Sequence, residues 1–347
     1  MIDPWFVENL VCPVDYQSLA VVGANLQCAS GHAYPIVDDV PVMLIPDAPQ
    51  TIGLADQSLR RARRELIDER APDLHLESLG ISDEEKDGVL RMARQGSAID
   101  PVVAHLVAAT NGLMYRHLIG ALDRYPIPVL PLPPGAGRSL LDVGCSWGRW
   151  TLAAAAHGYA AVGLDPSLGA VMAARRVAQR LGAQCRFVVG DARHLPFADG
   201  RFDDVYSYSV MQHFARLDAR RAMAEAGRVL KPGGTAKVQM PTRYGIRCLV
   251  HQVRRGFHDG EGFDVRYWSL PELRRLFTAT IGETRIETDC YFGIGLQPSD
   301  IALMTPARAA IVRLSEALKG LSRRVRPLVW VADSVFAEAV KPRGVTK

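Results

Sequence analysis

The sequence lacks any hydrophobic run that approaches the ~18–20 apolar residues of a membrane-spanning helix. Its first residues, Met1 to Trp5, carry neither the basic nor the apolar region of a secretory signal peptide. Both observations lead us to expect a cytoplasmic protein. The six cysteines are too scattered to indicate a disulfide framework. The formal charge of +4 is too small to indicate a nucleic-acid partner by itself.

Lysine is also scarce, since it supplies six of the 41 basic residues. This bias toward arginine, together with many alanines, is typical of a GC-rich bacterial genome and does not require a functional explanation. A hydrophobic content of 48% and a charged content of 22% describe an ordinary globular protein. With 347 residues, the chain can form one large domain with an appendage, or two domains.

A glycine-bearing turn stands between a predicted strand and a predicted helix. Apolar residues over 140–143 predict a short buried strand, and the alanine-rich segment 151–157 predicts a helix. Gly144 and Gly148 lie between them, where the backbone must bend tightly and let a ligand approach. The helix start adds free N–H groups and a positive dipole end. The pattern predicts a loop that binds a polar ligand, although dinucleotide sites use it too.

From residue 139 onward, short apolar strands alternate with amphipathic helices. The further segments are strands at 160–164, 185–189, 204–209 and 234–240, and helices at 168–181 and 217–229. This order predicts a parallel, doubly wound α/β sheet, whose ligands bind beyond the carboxyl ends of the strands. The candidate binding residues at those ends are Asp142, Gly144, Cys145, Ser146, Gly148, Asp165, Pro166, Asp191, Ala192 and Ser207.

The carboxylates among these residues indicate the chemistry of the ligand. Asp165 ends the second strand, where a carboxylate can accept hydrogen bonds from both ribose hydroxyls. Asp142 precedes a turn that reads Gly-Cys-Ser-Trp-Gly and not Gly-x-Gly-x-x-Gly, which favours a cationic amino-acid tail over a diphosphate. Asp191 and Ala192 end the third strand, where an adenine edge can be read.

Five short motifs follow one another in this part of the chain. They are Leu-Asp-Val-Gly-Cys-x-x-Gly (141–148), Val-Gly-Leu-Asp-Pro-Ser (162–167), Gly-Asp-Ala-x-x-Leu-Pro-Phe (190–197), Phe-Asp-Asp-Val-Tyr-Ser (202–207) and Arg-Val-Leu-Lys-Pro-Gly-Gly (228–234). With them, residues 139–240 resemble a class I S-adenosylmethionine-dependent methyltransferase. Ser146 stands where many members have a third glycine.

This resemblance implies a Rossmann-like, seven-stranded, doubly wound sheet with an antiparallel last strand. It implies S-adenosylmethionine as the cofactor, with Asp142 and Gly144 at the methionine end, Asp165 at the ribose, and Asp191 with Ala192 at the adenine. The last two strands of such a fold are expected at 286–292 and 332–340.

Residues 297–330 are then a helical insertion within a methyltransferase domain that covers 139–347. The helix predicted at 307–325 combines an apolar face with several arginines. Two interpretations stay open. The helix contacts a membrane surface or an acidic partner, or it packs on the sheet or forms a homodimer contact.

Residues 1–46 form a small β unit with a metal-ligating pattern. Cys12 and Asp15 are three residues apart, Cys28 and His32 are four apart, and two such turns joined by a hairpin can gather four zinc ligands. This unit resembles two known zinc ribbons in three short motifs, which are Leu-Val-Cys-Pro, Cys-x-x-x-His and Tyr-Pro-Ile-Val-Asp-Asp-Val-Pro. One belongs to the small activator protein of RNA and protein methyltransferases, and the other to bacterial ribosomal-RNA guanine methyltransferases. Asp15 replaces their second cysteine, so structural zinc and a metal-free hairpin packed on the main domain both stay open.

Residues 47–138 are predicted to be a helical connector that ends in a proline-rich, extended lead-in to the first strand. The more apolar part of this connector, residues 99–123, has its apolar residues at helical spacing. The sequence therefore predicts three segments: the ribbon, the connector and the methyltransferase domain.

The acceptor of the methyl group is the part that the sequence leaves open. His213 is the candidate general base for an oxygen or nitrogen nucleophile. A structural histidine is the alternative, because many methyl transfers need only alignment. Residues 241–268 are predicted to line the acceptor pocket. We expect methyl transfer to an oxygen or nitrogen atom of a small molecule.

Two other functions are weighed against this expectation. One is an RNA base methyltransferase, which is disfavoured because Ser209-Val210-Met211-Gln212 stands where an Asn-Pro-Pro-Tyr motif would follow the fourth strand. The other is a non-catalytic module that binds S-adenosylmethionine and a partner. This function is disfavoured because the set of cofactor-binding residues is retained.

Overall fold

The computed structural model describes residues 2–50, 53–111, 113–293 and 297–344. The helices in these ranges are α1 Pro4–Asn9, α2 Leu54–Ala62, α3 Asp83–Gln95, α4 Pro101–Asn111, α5 Arg149–Ala156, α6 Leu168–Leu181, α7 Arg216–Val229, α8 Ile246–Arg254, α9 Leu270–Thr280 and α10 Pro306–Ser322. The strands are β1 Leu19–Val22, β2 Asn25–Cys28, β3 Ala33–Val37, β4 Val40–Pro41, β5 Ser139–Val143, β6 Ala160–Asp165, β7 Cys185–Val189, β8 Phe202–Ser207, β9 Leu230–Pro241, β10 Glu283–Cys290 and β11 Ser334–Val340. The chain divides into two compact units, Met1–Phe202 and Asp203–Lys347.

The predicted α/β architecture is confirmed by the strand order. Over the described residues, a seven-stranded sheet has the order β10-β11-β9-β8-β5-β6-β7, and a separate four-stranded sheet has the order β1-β2-β3-β4. Strands β5, β6 and β7 are parallel, as strands joined through crossover helices must be. The last strand, β11, runs antiparallel to both β9 and β10. The Rossmann-like sheet with an antiparallel last strand is therefore present.

In the first unit, β5, β6 and β7 form the core against α5 and α6. Leu140 and Leu141 are consecutive and both fully buried, which is typical of a parallel strand covered on both faces. Residues that flank the small antiparallel sheet bond to this unit: Leu10 forms a bridge with Phe197, and Met43 N–H donates to the Val189 carbonyl of β7 at 2.7 Å. The ribbon segment therefore packs on the edge of the larger sheet within this unit.

In the connector, the segment with helical spacing over 99–123 contains α4 and then a 3-10 segment, Leu113–Leu118.

In the second unit, α9 and α10 begin at residues that favour helix starts. The hydroxyl of Ser269 accepts from Glu272 N–H, and the Glu272 carboxylate accepts from Ser269 N–H, so α9 starts with a capping box. Pro306 begins α10 at a position where a proline needs no N–H partner.

The apolar face of α10, for which the sequence left two interpretations open, is partly exposed. Leu314 and Leu321 are 52% and 46% exposed. The buried side instead includes Val312 and Ser315, because the Ser315 hydroxyl accepts from Tyr291 N–H next to β10 at 2.9 Å. In the described part of the chain, no helix is both long and apolar enough to cross a membrane.

Candidate cofactor site and metal cluster

The glycine turn after β5 adopts a backbone that favours glycine at both ends. Gly144 and Gly148 have φ values of 79° and 81°, in the left-handed region. A Cβ atom at Gly148 would also lie 3.0 Å from Ala174 Cβ, which is tighter than ordinary contact. The N–H groups of Gly144 and Cys145 both donate to the Leu164 carbonyl, at 2.7 and 3.0 Å. The turn is thereby fixed to the end of β6.

Asp165 links the end of β6 to this turn. One oxygen of its carboxylate accepts from Ser146 N–H at 2.9 Å, and the other accepts from Ser167 N–H at 2.9 Å. Burial raises the pKa of Asp165 to about 6, against the lowering effect of these two hydrogen bonds. The structure therefore brings the predicted ribose carboxylate and the predicted glycine turn together, with the carboxylate oriented by two backbone donors.

Asp142 lies below the turn, with its side chain nearly inaccessible to solvent. The side chain is 1% exposed and accepts a hydrogen bond from the Thr151 hydroxyl of α5 at 2.7 Å. Burial, together with the nearby charge of Asp165, raises the pKa of Asp142 to about 7. In this structure the carboxylate joins β5 to α5.

Two serines of the connector were missed by the sequence reasoning. The Ser58 hydroxyl accepts from Leu168 N–H at 2.9 Å and donates to the Pro166 carbonyl at 2.8 Å. The Ser78 hydroxyl accepts from Gly169 N–H at 2.9 Å, and both serine side chains are fully buried. These residues hold the first turn of α6 and the position of Pro166. Nothing in their local sequence distinguishes them from surface serines, so only the fold identifies them.

Asp191 forms an ion pair that the sequence reasoning also missed. Its carboxylate accepts from the Arg193 Nη2 at 2.6 Å and from the Arg193 Nε at 3.0 Å. The two side chains are only 13% and 6% exposed. The structure places Asp191 and Ala192 after β7 as predicted, and Arg193 fixes the carboxylate there. The Asp-x-Arg spacing was visible in the sequence, although such a spacing is common at surfaces.

The remaining predicted residues lie in the second unit. Ser207 ends β8 and is fully buried. His213 stacks on Phe263, with ring centroids 3.8 Å apart and planes inclined by 4°. Its Nδ1 lies 2.6 Å from the Phe263 carbonyl, and its Nε2 lies 3.2 Å from the Gln212 amide nitrogen. Burial lowers the pKa of His213, so the imidazole is neutral, with Nδ1–H as donor and Nε2 as acceptor.

A second cluster of ligand-type side chains lies in the small antiparallel sheet. One potential ligand atom from each of Cys12, Asp15, Cys28 and His32 lies within 4.8 Å of all the others. His32 Nδ1 is 3.4 Å from each sulfur and 3.3 Å from an Asp15 oxygen, and Cys28 Sγ is 3.7 Å from that oxygen. The two turns predicted to face each other therefore do so.

These four separations are close to the edges of a tetrahedron around zinc. Bond lengths of about 2.3 Å to sulfur and about 2.0–2.2 Å to nitrogen or oxygen place neighbouring ligand atoms roughly 3.4–3.8 Å apart. The donor set, two thiols, one imidazole and one carboxylate, consists of zinc ligands. The Tyr34 hydroxyl, 3.1 Å from Cys12 Sγ, supplies an outer hydrogen bond that was not predicted.

Comparison with known proteins finds similarity over the segment that contains the glycine turn. Residues 140–234 match the model of a family described as "Methyltransferase domain". The rice protein 24-methylenesterol C-methyltransferase 2 is 40% identical over 133 residues, which are 38% of this chain and 36% of that protein. The ubiquinone biosynthesis O-methyltransferase of Azorhizobium caulinodans is 33% identical over 141 residues, 38% of this chain and 55% of that protein.

A solved structure of Haemonchus contortus phosphoethanolamine N-methyltransferase 2, in complex with S-adenosyl-L-methionine, is 18% identical. Its alignment covers 68% of this chain and 59% of that chain, with a TM-score of 0.43. The chain spans between 27% and 56% of the length of the curated relatives compared with it. The matched segment contains the glycine turn, Asp165 and Asp191. Residues 140–234 are therefore similar to methyltransferase domains over the segment that holds the predicted cofactor residues.

Proposed function

We propose that this protein transfers a methyl group from S-adenosylmethionine to an oxygen or nitrogen atom of a small-molecule acceptor. The observation that carries the proposal is the placement of Asp165. Its carboxylate sits at the glycine turn, oriented by the N–H groups of Ser146 and Ser167. A carboxylate fixed in this way beside a tight turn suits two adjacent hydroxyls of a ribose.

The residues present fit the cofactor. Gly144 and Gly148 allow the left-handed backbone of the turn, and Asp165 supplies the acceptor oxygens beside it. We assign Ala192, next to the Asp191–Arg193 pair, to the adenine end. When bound, S-adenosylmethionine supplies an electrophilic methyl group. The chain's contribution is then to orient the cofactor and the acceptor and to exclude water.

His213 is the candidate base for an acceptor that must lose a proton. Its Nδ1–H donates to the Phe263 carbonyl, and this bond fixes the tautomer in which Nε2 is an acceptor. The Gln212 amide donates to Nε2 in this structure, so an acceptor hydroxyl would have to replace that hydrogen bond. The lowered pKa keeps the ring neutral, as a base requires. His213→Asn should lower kcat for a protonated hydroxyl acceptor and leave the affinity for S-adenosylmethionine unchanged. A normal rate across the pH range would assign this histidine a structural role.

Calorimetric titration of S-adenosylmethionine tests the cofactor part of the proposal. Asp165→Ala removes the oriented carboxylate and should weaken binding by ~1.5–3 kcal/mol, the value for hydrogen bonds to a charged group. Asp123→Ala, which changes an exposed carboxylate of the same unit, is the matched control and should bind normally. Equal affinities for wild type and Asp165→Ala would refute the assignment.

Turnover separates an enzyme from a binding module. Purified protein is incubated with S-adenosylmethionine and a set of phenols, amines and carboxylic acids, and release of S-adenosylhomocysteine is followed. Release that depends on one of these acceptors supports the proposal. Two outcomes contradict it. One is binding of the cofactor with no release of S-adenosylhomocysteine on any of these acceptors, and the other is release that occurs only when RNA is the acceptor.

We also propose that Cys12, Asp15, Cys28 and His32 hold a structural zinc ion. The support is the gathering of four ligand atoms within 4.8 Å of one another, with His32 Nδ1 3.3–3.4 Å from the other three, together with the burial of both cysteines. Elemental analysis should find about one zinc per chain in the wild type and less in Cys28→Ser. Cys185→Ser, which changes a cysteine outside the cluster, should retain the metal. If the wild type is purified without metal and its melting temperature does not change when zinc is added, the segment folds without zinc.

A further inference from the structure

An amphipathic helix of the second unit turns its apolar side to solvent. On α8, Ile246, Leu249, Val250 and Val253 follow the i, i+3, i+4, i+7 spacing that places side chains on one helix face. They are 45%, 38%, 49% and 58% exposed, and Phe257, four residues further on, is 62% exposed. Helices of globular proteins normally bury such a face.

The opposite side of α8 is polar and is the side that holds the helix in place. Cys248 and Gln252 are buried, at 3% and 6% exposure. The Gln252 amide donates to the Arg243 carbonyl at 2.6 Å, and the Asp333 carboxylate accepts from the N–H groups of Arg247 and Cys248 at 2.7 and 3.0 Å. The helix is therefore anchored by hydrogen bonds. Its apolar face contributes little to the packing of the unit.

The charge of this segment indicates what covers the apolar face. Residues 243–258 contain four arginines and two histidines but no aspartate or glutamate. Arg243 and Arg255 lie 3.6 and 3.9 Å from the carboxylates of Glu272 and Asp264, so the positive charge beside the apolar face comes from Arg247 and Arg254. Apolar side chains flanked by cations are the composition of helices that lie in the interface of an anionic membrane. A second copy of the chain, docked by the same face across a two-fold axis, would bring these positive charges together.

We propose that α8, with Phe257 after it, docks the protein on an anionic lipid surface. The helix lies parallel to the membrane, with its apolar face among the acyl chains and its arginines at the headgroups. This inference does not rest on methyl transfer. The exposed side of α10 is a weaker candidate for the same role, because Glu316 lies between its exposed leucines in the sequence.

Vesicle flotation tests this proposal. Wild-type protein is mixed with vesicles of phosphatidylcholine alone, or of phosphatidylcholine with about one-third phosphatidylglycerol, and the bound fraction is measured. We expect binding to the anionic vesicles at least ~10-fold above binding to the neutral ones. The double variant Val250→Glu, Val253→Glu should lose that binding about 10-fold or more, because it places charge in the apolar face. Arg254→Gln should weaken binding about 5-fold.

Matched variants keep the test specific. Leu217→Glu introduces the same charge at a residue of α7 that is 60% exposed, and it should bind vesicles like the wild type. Leu314→Glu makes the equivalent change on α10 and should also bind normally. Circular dichroism and thermal unfolding check that each variant is folded.

Three results would overturn the proposal. They are no binding of the wild type to anionic vesicles, full binding by the folded double variant, and loss of binding only in Leu314→Glu. A wild-type dimer that Val253→Glu converts to a monomer, without vesicle binding, would assign the face to a second copy instead.

Discussion

The buried carboxylate of Asp142 should make the cofactor-free protein less stable as the pH rises. Its pKa is raised from the ordinary value of 3.8 to about 7, mainly because the side chain is buried beneath the glycine turn. The folded state therefore holds a proton that the unfolded chain releases at lower pH. The contribution of this bound proton to the free energy of unfolding is complete below about pH 4 and is lost as the pH rises toward about 7.

Replacement of Asp142 by asparagine removes the free-energy cost of ionising a buried carboxylate. The amide has nearly the same shape and can still accept the hydrogen bond from the Thr151 hydroxyl. An increase in pKa of this size corresponds to ~4 kcal/mol at most, and relaxation around the charge reduces the figure to about 2–4 kcal/mol. At pH 8 we expect Asp142→Asn to raise the free energy of unfolding by this amount. At pH 4 the gain should fall below ~1 kcal/mol, since both states are then largely protonated.

Urea unfolding of the cofactor-free protein, followed by circular dichroism at pH 4, 6 and 8, measures this difference. Glu69→Gln, which neutralises an exposed carboxylate of the same unit, is the control and should show no pH-dependent gain. If Asp142→Asn is no more stable than the wild type at pH 8, the carboxylate is not a destabilising charge. If the gain is the same at every pH, it does not come from ionisation.

Two further predictions concern the packing of the first unit. Gly163→Ala should destabilise the protein by ~1–3 kcal/mol, because the new Cβ would lie 2.7 Å from the Thr151 hydroxyl and 2.8 Å from Cys145 Sγ. Gly320→Ala, where a Cβ meets nothing within 4 Å, should be neutral or stabilising in the same thermal-unfolding assay. Arg193→Ala should cost about 3–5 kcal/mol in urea unfolding, because it leaves a largely buried carboxylate without its ion pair. An unchanged midpoint would show that solvent already compensates that carboxylate.

Local sequence alone determined the elements that form the sheet. The strand at 185–189 and the helix at 168–181 have the bounds that the patterns predict. Their sequences alternate apolar runs with amphipathic segments, and such patterns depend on neighbours along the chain. The glycine turn could likewise be predicted, because Gly144 and Gly148 adopt backbone angles that few other residues tolerate.

Only the tertiary structure decided how the polar residues are paired. Ser58 and Ser78 cap the start of α6 from segments about a hundred residues away, and Arg193 forms an ion pair with the carboxylate of Asp191. Hydrogen-bond partners of this kind depend on distances in space, which periodicity does not contain. The same holds for helix orientation. The pattern of α8 shows that it has an apolar face, but the buried Gln252 and the carboxylate of Asp333 determine that this face points to solvent.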